Sequence, residues 1–216
     1  MLTRVSISTL LIIAVAVWGL FLWFLGIGLS WDYAKPYTFT LGVLTALTWL
    51  FDRYLWQFSI FSFLDTKPSL LGTWRVELNS TYRDPKTGEQ SKTVEAFAVI
   101  RQTYSMLSIR IMSEESESFL VASRVEKKED GTFYIYGVYQ SDPKIHRRGQ
   151  AAQDGKVSEI HYGSFKYKLI GTPVEQVDGH YWTDRHTNGS IKFVDRREGF
   201  VDSYERAKAL YADPDH

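Results

Sequence analysis

A run of 27 residues without a charged side chain, residues 5–31, is the feature that most limits what this chain can become. A bilayer core about 30 Å thick needs roughly 20 apolar residues in a helix, so the run is long enough to span with some tilt. A second apolar stretch, residues 36–51, follows closely, and Tyr54 and Trp56 after it are typical of a membrane-interface belt. The sequence therefore predicts a two-helix transmembrane hairpin within residues 1–66.

A cleaved signal peptide is the alternative explanation for the first run, and it fits poorly. Signal-peptide cores are about 7–15 residues long, and a second apolar stretch does not normally follow them so closely. Arg4 flanks one end of the hairpin, and Arg53 and Lys67 flank the other. By the positive-inside rule, these charges predict a multi-pass protein of the inner membrane, with the N-terminus and everything after residue 53 in the cytoplasm.

Alternation of apolar and polar residues dominates the body of the chain, residues 67–216. The first segment, GTWRVELNSTY (72–82), places its tryptophan, first valine and leucine on one face, and about seven similar segments follow between turns. Consecutive hairpins without a long crossover predict a mainly β domain: an antiparallel up-and-down, lipocalin-like barrel of roughly eight strands. Residues 142–158 are predicted to form the longest loop, and residues 199–211 a short amphipathic C-terminal helix.

Composition and motifs exclude several function classes. The chain has no cysteine, so disulfides, thiolate metal sites and cysteine nucleophiles are absent. Its 25 basic and 25 acidic residues balance, which argues against a nucleic-acid polymer as a partner. The sequence contains no phosphate-binding glycine loop, zinc-protease motif or nucleophile elbow, and its five histidines are scattered. We therefore predict a protein that is not an enzyme, with no catalytic residue, no metal site and no cofactor.

Basic and aromatic side chains on the strands are the candidate ligand-binding residues. The planar fork of arginine suits phosphate, and tyrosine rings can stack on bases, so together they suit an anionic, planar ligand. For each residue the alternative is a solvated arginine or a core tyrosine. The candidates are Tyr139, Tyr162, Tyr181, Thr183, Arg185, Arg101 and Arg110.

The segment GHYWTDRHTNGSIKF, residues 179–193, reads as two short strands around a turn. We predict that the line of Tyr181, Thr183 and Arg185 faces inward, because two polar side chains beside a tyrosine suit a wet, anion-accepting cavity. The alternate residues, beginning with Trp182, are then predicted to face outward, where a neighbouring subunit could contact them.

Five residues are predicted to have structural roles: Gly72, Trp74, Gly179, Asn188 and Gly189. A Gly-x-Trp at the start of the first strand is what lipocalin-type barrels show at their closed end, where an arginine of the last strand packs across the tryptophan ring. Arg185 is the candidate for that arginine, so it either contacts a ligand or closes the barrel against Trp74. Asn188 and Gly189 are predicted to supply the left-handed positions of the turn.

The layout and several short motifs resemble one family, the SMODS-associating two-transmembrane, β-strand-rich effectors of bacterial CBASS antiphage operons. The motifs are the Gly-x-Trp at 72–74, HYGSF at 161–165 and the line from Gly179 to Arg185 with Gly189. The resemblance implies that a CD-NTase makes a cyclic oligonucleotide, that the cytoplasmic barrel binds it as a cyclic dinucleotide, and that the membrane helices then assemble, disrupt the inner membrane and kill the infected cell. The implied partners are a cyclic dinucleotide, the lipid bilayer, further copies of the chain and a functionally linked CD-NTase.

Two other classes of protein stay open from the sequence. One is a membrane-tethered, lipocalin-like carrier of a lipid or another small hydrophobic ligand, and the other is a scaffold whose barrel binds only protein. A lipid carrier should line its interior with aliphatic side chains, whereas a nucleotide receptor should point tyrosine, threonine and arginine inward.

Overall fold

The chain divides into two compact units, residues 1–55 and residues 56–216. The computed structural model describes residues 7–26, 31–58, 60, 67–82, 93–144 and 160–212. Helices α1 (Ile7–Phe24) and α2 (Trp31–Arg53) form the first unit, and a 3-10 helix follows at Leu55–Gln57. Across the described ranges, no helix combines the length and the hydropathy that crossing a membrane requires.

Threonine hydroxyls in α2 find their partners within the helix itself. Thr45 Oγ1 donates to the Leu41 carbonyl at 2.8 Å, and Thr48 Oγ1 donates to the Leu44 carbonyl at 2.7 Å. Because these bonds satisfy the hydroxyl donors locally, the two threonines do not require polar surroundings.

The second unit contains a closed barrel of eight antiparallel strands in sequence order. The strands are β1 (Gly72–Ser80), β2 (Val94–Gln102), β3 (Leu107–Met112), β4 (Ser116–Lys127), β5 (Phe133–Pro143), β6 (His161–Ile170), β7 (Gln176–Thr183) and β8 (Asn188–Arg197). Each strand pairs with the next, and β1 pairs with β8, so the predicted up-and-down barrel is confirmed. In the predicted long loop, residues 142–143 belong to β5, and residues 145–158 lie outside the described residues.

The interior is apolar at the end of the barrel where β1 begins, which we call the Trp74 end. Trp74, Leu169 and Val177 are buried there together with Leu70, which precedes β1. The Trp74 indole N–H donates to the Leu70 carbonyl at 2.9 Å, and the Leu70 N–H donates to Gln102 Oε1 at 2.9 Å. The segment before β1 is therefore tied across this end by buried hydrogen bonds.

An arginine does lie across Trp74, but it is Arg196 and not Arg185. The guanidinium carbon of Arg196 is 5.7 Å from the Trp74 ring centroid, and Arg196 Nε donates to the Leu71 carbonyl at 2.7 Å. Arg185 follows β7, which runs away from the Trp74 end, so it lies at the opposite end of the barrel. The interpretation of Arg185 as the closing arginine is therefore wrong, because only the C-terminal part of β8 returns to the start of β1.

We expect Arg196→Ala to lower the melting temperature of the barrel by about 4–10 °C. The substitution removes the contact with Trp74 and the hydrogen bonds to Leu71 and to the Ser69 carbonyl at 3.2 Å. Together these contribute about 2–3 kcal/mol. Differential scanning fluorimetry of the full chain measures the change, with Arg206→Ala on the exposed surface as the matched control. Equal melting temperatures for the two variants would contradict a closing role for Arg196.

A C-terminal helix, α3 (Tyr204–Ala212), covers part of the outer wall of the barrel. It begins later than predicted because Ser203 caps it: Ser203 Oγ accepts from the Arg206 N–H at 3.3 Å. Gly199 before it has a φ of 94°, which a helix does not allow. The buried residues of this contact are Tyr204, Ala207 and Tyr211 of α3 and Phe97, Val99 and Met112 of β2 and β3.

Candidate functional site

Polar side chains line the interior at the other end of the barrel, where β5 and β7 end and β6 begins. These residues are Tyr139, Ser141, His161, Tyr181 and Thr183, with Arg185 just after β7, and we call them the polar end. Ser141 and His161 lie directly opposite each other on β5 and β6, and both are buried. The predicted inward orientation of Tyr181 is confirmed, since it packs against the barrel core while Trp182 is exposed.

Arg185 and His161 are in contact at the polar end, and this contact places a positive charge there. Arg185 Nη2 lies 3.3 Å from His161 Nε2. A guanidinium can only donate, so in this contact the histidine accepts through an unprotonated Nε2. The pair therefore offers one permanent cation, the Arg185 guanidinium, held by the buried ring of His161. Such an arrangement is suited to binding an anion.

Thr183 shapes the turn that carries Arg185. Its Oγ1 lies 2.7 Å from Thr187 Oγ1 and accepts from the Arg185 N–H at 3.3 Å. The left-handed residue of this turn is His186, with a φ of 59°.

The prediction that Asn188 and Gly189 supply the left-handed positions is wrong. Both residues already belong to β8, because the turn closes at Thr187, whose carbonyl accepts from the Thr183 N–H at 2.9 Å. The Asn188 carbonyl instead accepts from the Thr81 N–H at 2.8 Å and so continues the pairing of β8 with β1.

Inward glycines make room for the aromatic rings of the barrel interior. In four cases a glycine lies directly opposite an aromatic residue of the neighbouring strand: Gly137 with Phe165, Gly163 with Tyr139, Gly179 with Tyr167 and Gly189 with Tyr181. A Cβ at Gly189 would lie 2.6 Å from the Tyr181 hydroxyl oxygen, and one at Gly163 would overlap the Tyr139 ring. The glycines thus let both tyrosines of the polar end lie against the backbone. Gly72 differs: its φ of 127° is a conformation that favours glycine.

A layer of stacked rings lies next to the polar end. Phe165 stacks on Tyr167 with centroids 4.0 Å apart, and Tyr139 is 6.4 Å from Phe165. Burial raises the pKa of the Tyr139 hydroxyl, with a further contribution from Tyr181, and burial likewise raises the pKa of Tyr167. Both hydroxyls therefore stay protonated at neutral pH and can donate hydrogen bonds.

We expect the free energy of unfolding to fall as the pH rises above 10. The folded-state pKa values of Tyr139 and Tyr167 lie above the ordinary value of 10.0, so the unfolded chain releases these protons first. The contribution is fully present below pH 10 and is lost above it, at up to about 1.4 kcal/mol per pH unit for each tyrosine. Urea unfolding between about pH 8 and 11 measures the slope, which should be shallower in Tyr167→Phe. Identical slopes in the two proteins would contradict this account.

Three of the predicted ligand-binding residues lie away from the polar end. Tyr162 is exposed on the outer face of β6. The Arg101 guanidinium stands 4.3 Å from the Phe200 ring centroid, and Arg110 Nη2 donates to the Val201 carbonyl at 2.9 Å. Both arginines thus hold the segment before α3 on the outer wall. The structure brings together Tyr139, Tyr181, Thr183 and Arg185, and it separates these three from them.

His161 and Ser141 are site residues that the sequence analysis missed. His161 is one of the five scattered histidines of the sequence, yet it is buried, with only 8% of its surface exposed. Within HYGSF it alternates with Gly163 and Phe165, so it shares their inward face. That alternation was the available signal, because residues two apart on a strand point to the same side.

Comparison with known proteins places the chain in a family. A sequence profile described as "Cap15, cyclic dinucleotide receptor domain" matches residues 66–195, which is more than half of the 216 residues. The chain is also similar to a CD-NTase-associated protein 15 from Staphylococcus schleiferi, at 24% identity over 190 residues, covering 88% of this chain and 89% of that protein. A CD-NTase-associated protein 15 from Escherichia albertii is 23% identical over 187 residues, covering 84% of this chain and 85% of that protein. The profile match includes every residue of the polar end, and the chain belongs to the Cap15 cyclic dinucleotide receptor family.

Proposed function

We propose that this protein is a CBASS antiphage effector that binds a cyclic dinucleotide at the polar end of its barrel. The observation that carries the proposal is the contact of Arg185 with His161 at a barrel end lined by tyrosines, in a chain of a cyclic dinucleotide receptor family. The messenger comes from a CD-NTase, as the names of the two relatives suggest by similarity.

The side chains of the polar end match the chemistry of a cyclic dinucleotide. Such a ligand carries two phosphates and two bases, so it needs a few local cations and aromatic surfaces rather than a basic domain. Arg185 can hold a phosphate through its planar fork, and the His161 ring supports the guanidinium by accepting its hydrogen bond. Tyr139 and Tyr181 offer rings and hydroxyl donors, and Ser141 offers a further hydroxyl. A lipid carrier would instead present aliphatic side chains at this position.

The first unit is proposed to be the membrane anchor and the executing part of the effector. Residues 5–31 carry no charge, and the exposed side chains of α1 include Val17, Leu20 and Trp23, an apolar surface suited to lipid. The charges at Arg4 and Arg53 support an inner-membrane protein with the N-terminus and the barrel in the cytoplasm.

Ligand binding is proposed to shift a population from separate chains to an assembly that disrupts the membrane. A ligand can do this only if it binds the assembled state more tightly than the resting state. Reversing a ratio of 1:99 to 99:1 requires a preference of about 10⁴-fold, so the ligand has to contact the barrel differently in the two states.

Calorimetry and a leakage assay test the two halves of the proposal separately. We expect the full chain in detergent to bind at least one member of a panel of cyclic di-AMP, cyclic di-GMP, cyclic GMP–AMP and cyclic di-UMP, with a Kd in the micromolar range or tighter. The ligand that binds should release dye from vesicles containing the chain. If no member of the panel binds, the assignment as a cyclic dinucleotide receptor is overturned. If a ligand binds but no dye is released, only the proposed membrane disruption is overturned.

A further inference from the structure

Five large apolar side chains are exposed together on the outer wall of the barrel, across β4 to β7. They are Phe119, Val121, Val138, Tyr162 and Trp182, and we call them the outer-wall patch. Val138 lies opposite Ser164, which lies opposite Trp182. Phe119 and Tyr162 flank β5 in the adjacent row. Gln140 lies between Phe119 and Tyr162, and Ser164 lies between Val138 and Trp182, so the five side chains share one area of the wall with two polar residues among them.

The composition of the outer-wall patch is that of an interaction site. Tyr162 is 50% exposed and Trp182 is 47% exposed. Single exposed hydrophobic residues are normal on a protein surface, but contiguous patches of them mark contacts with other molecules. Tryptophan and tyrosine are also the residue types that most often dominate the binding energy of protein interfaces.

Charged side chains border the outer-wall patch with opposite signs on its two sides. Toward the polar end, Glu117 and Asp142 lie opposite each other in the row next to the patch, and Glu117 is also paired with Arg110 of the same chain at 4.0 Å. Toward the Trp74 end, Arg124 and Lys166 lie in one row on either side of Tyr136. Along the strand direction, from the polar end to the Trp74 end, the wall therefore has an acidic edge, an apolar centre and a basic edge.

We infer that the outer-wall patch is a contact between the barrels of two copies of this chain, packed side by side in antiparallel orientation. A two-fold axis in the contact plane and perpendicular to the strands places each patch on its counterpart. The same rotation brings the acidic edge of each copy against the basic edge of the other. A bilayer with anionic lipids fits this wall less well, because its headgroups attract the basic edge but repel the acidic edge, whereas a second copy pairs with both. The inference rests on the proposed self-assembly and names a surface that takes part in it.

Cross-linking of single-cysteine variants of the full chain in detergent tests the contact. The natural chain has no cysteine, so an introduced thiol is the only one present. Ser164→Cys places a thiol in the centre of the patch, and a bismaleimide matched to the ~10 Å separation of packed sheets should join it to a second copy. Ser108→Cys, on the exposed outer face of β3, is the matched control and should stay monomeric.

Two further variants test the apolar centre and the charged edges. In the Ser164→Cys background, Trp182→Asp should lower the cross-linked fraction about tenfold, because a charge then lies in the apolar centre. Arg124→Glu combined with Lys166→Glu makes both edges acidic and should lower the fraction as well, whereas a neutral effect would overturn the antiparallel arrangement. Equal cross-linking of Ser164→Cys and Ser108→Cys would overturn the inference. It would mean that the copies meet at random in the detergent and not through the outer-wall patch.

The same samples separate this inference from the proposed function. If a cyclic dinucleotide binds and Ser164→Cys stays monomeric with and without it, the contact is overturned and the receptor assignment stands. If no dinucleotide binds, cross-linking of Ser164→Cys still supports the contact while the receptor assignment fails. The chain could instead fail to cross-link and bind phosphatidylglycerol vesicles in a way that depends on Trp182. That result would show that the outer-wall patch binds lipid, and it would overturn the contact between barrels.

Discussion

Arg185→Ala is expected to weaken binding of the activating cyclic dinucleotide by about 30-fold to 150-fold while the barrel stays folded. The guanidinium is a permanent cation in contact with the buried His161 at the polar end. Charge-assisted hydrogen bonds to phosphate are the strong ones, so their loss dominates the affinity. Since Arg196 and not Arg185 covers Trp74, the substitution should leave the closed end of the barrel intact.

Calorimetry with the ligand found in the panel measures this loss, and scanning fluorimetry checks the fold. Arg206→Ala is the matched control, because Arg206 is exposed on α3 and its guanidinium donates to Asp202, four residues earlier, at 2.8 Å. His161→Gln should weaken binding less, since it removes a hydrogen-bond partner of Arg185 and leaves the guanidinium in place. Affinity that is unchanged in Arg185→Ala would show that the phosphate is bound elsewhere, and an unfolded variant would show a structural role for this arginine.

Gly137→Ala is expected to destabilise the barrel by about 2 kcal/mol or more, which lowers the melting temperature by about 4–8 °C. The new Cβ would overlap the end of the Phe165 ring and lie 3.0 Å from the Ala122 carbonyl oxygen. Phe165 stacks on Tyr167 and neighbours Tyr139, so a displaced ring disturbs the layer next to the polar end. Weaker binding of the cyclic dinucleotide should therefore accompany the loss of stability.

A double-mutant cycle shows whether the steric overlap is the cause. Phe165→Leu shortens the side chain that the new Cβ meets, so in the double variant the cost of Gly137→Ala should fall by about 1 kcal/mol. Gly42→Ala is the control for adding a methyl group, because the space beside Gly42 in α2 is open. Additive effects of the Gly137 and Phe165 substitutions would mean that the ring and the glycine do not depend on each other.

The alternation of apolar and polar residues was sufficient to predict the barrel. Period-two alternation is a local property of each segment, and short turns between successive segments leave adjacent antiparallel pairing as the simplest arrangement. The residues of β1, with Trp74, Val76 and Leu78 on one face, show this directly, since that face is the inner one. The bounds of α3 were less predictable, because the cap at Ser203 and the φ of Gly199 decide where it begins.

The assignment of Arg101 failed for an identifiable physical reason. Residues 96–100 of β2 are all apolar and all buried, because α3 covers the outer face of the strand while the barrel core covers the inner face. Alternation disappears in such a segment, and with it the information about which side a flanking arginine faces. Tyr162 is a different case, since its strand alternates clearly and His161 beside it is the inward residue.

What the sequence alone determined was the eight-stranded barrel, its division from the apolar N-terminal segment, and a resemblance to CBASS effectors. The tertiary structure shows that Arg196 covers Trp74 at one end of the barrel and that Arg185 contacts His161 at the other end. The sequence predicted Arg185 as the arginine over Trp74, whereas Arg196, eleven positions further along the chain, makes that contact. The choice depends on the pairing of β8 with β1, which joins residues more than a hundred positions apart. No local pattern encodes such closure, because it follows from the register of all eight strands together.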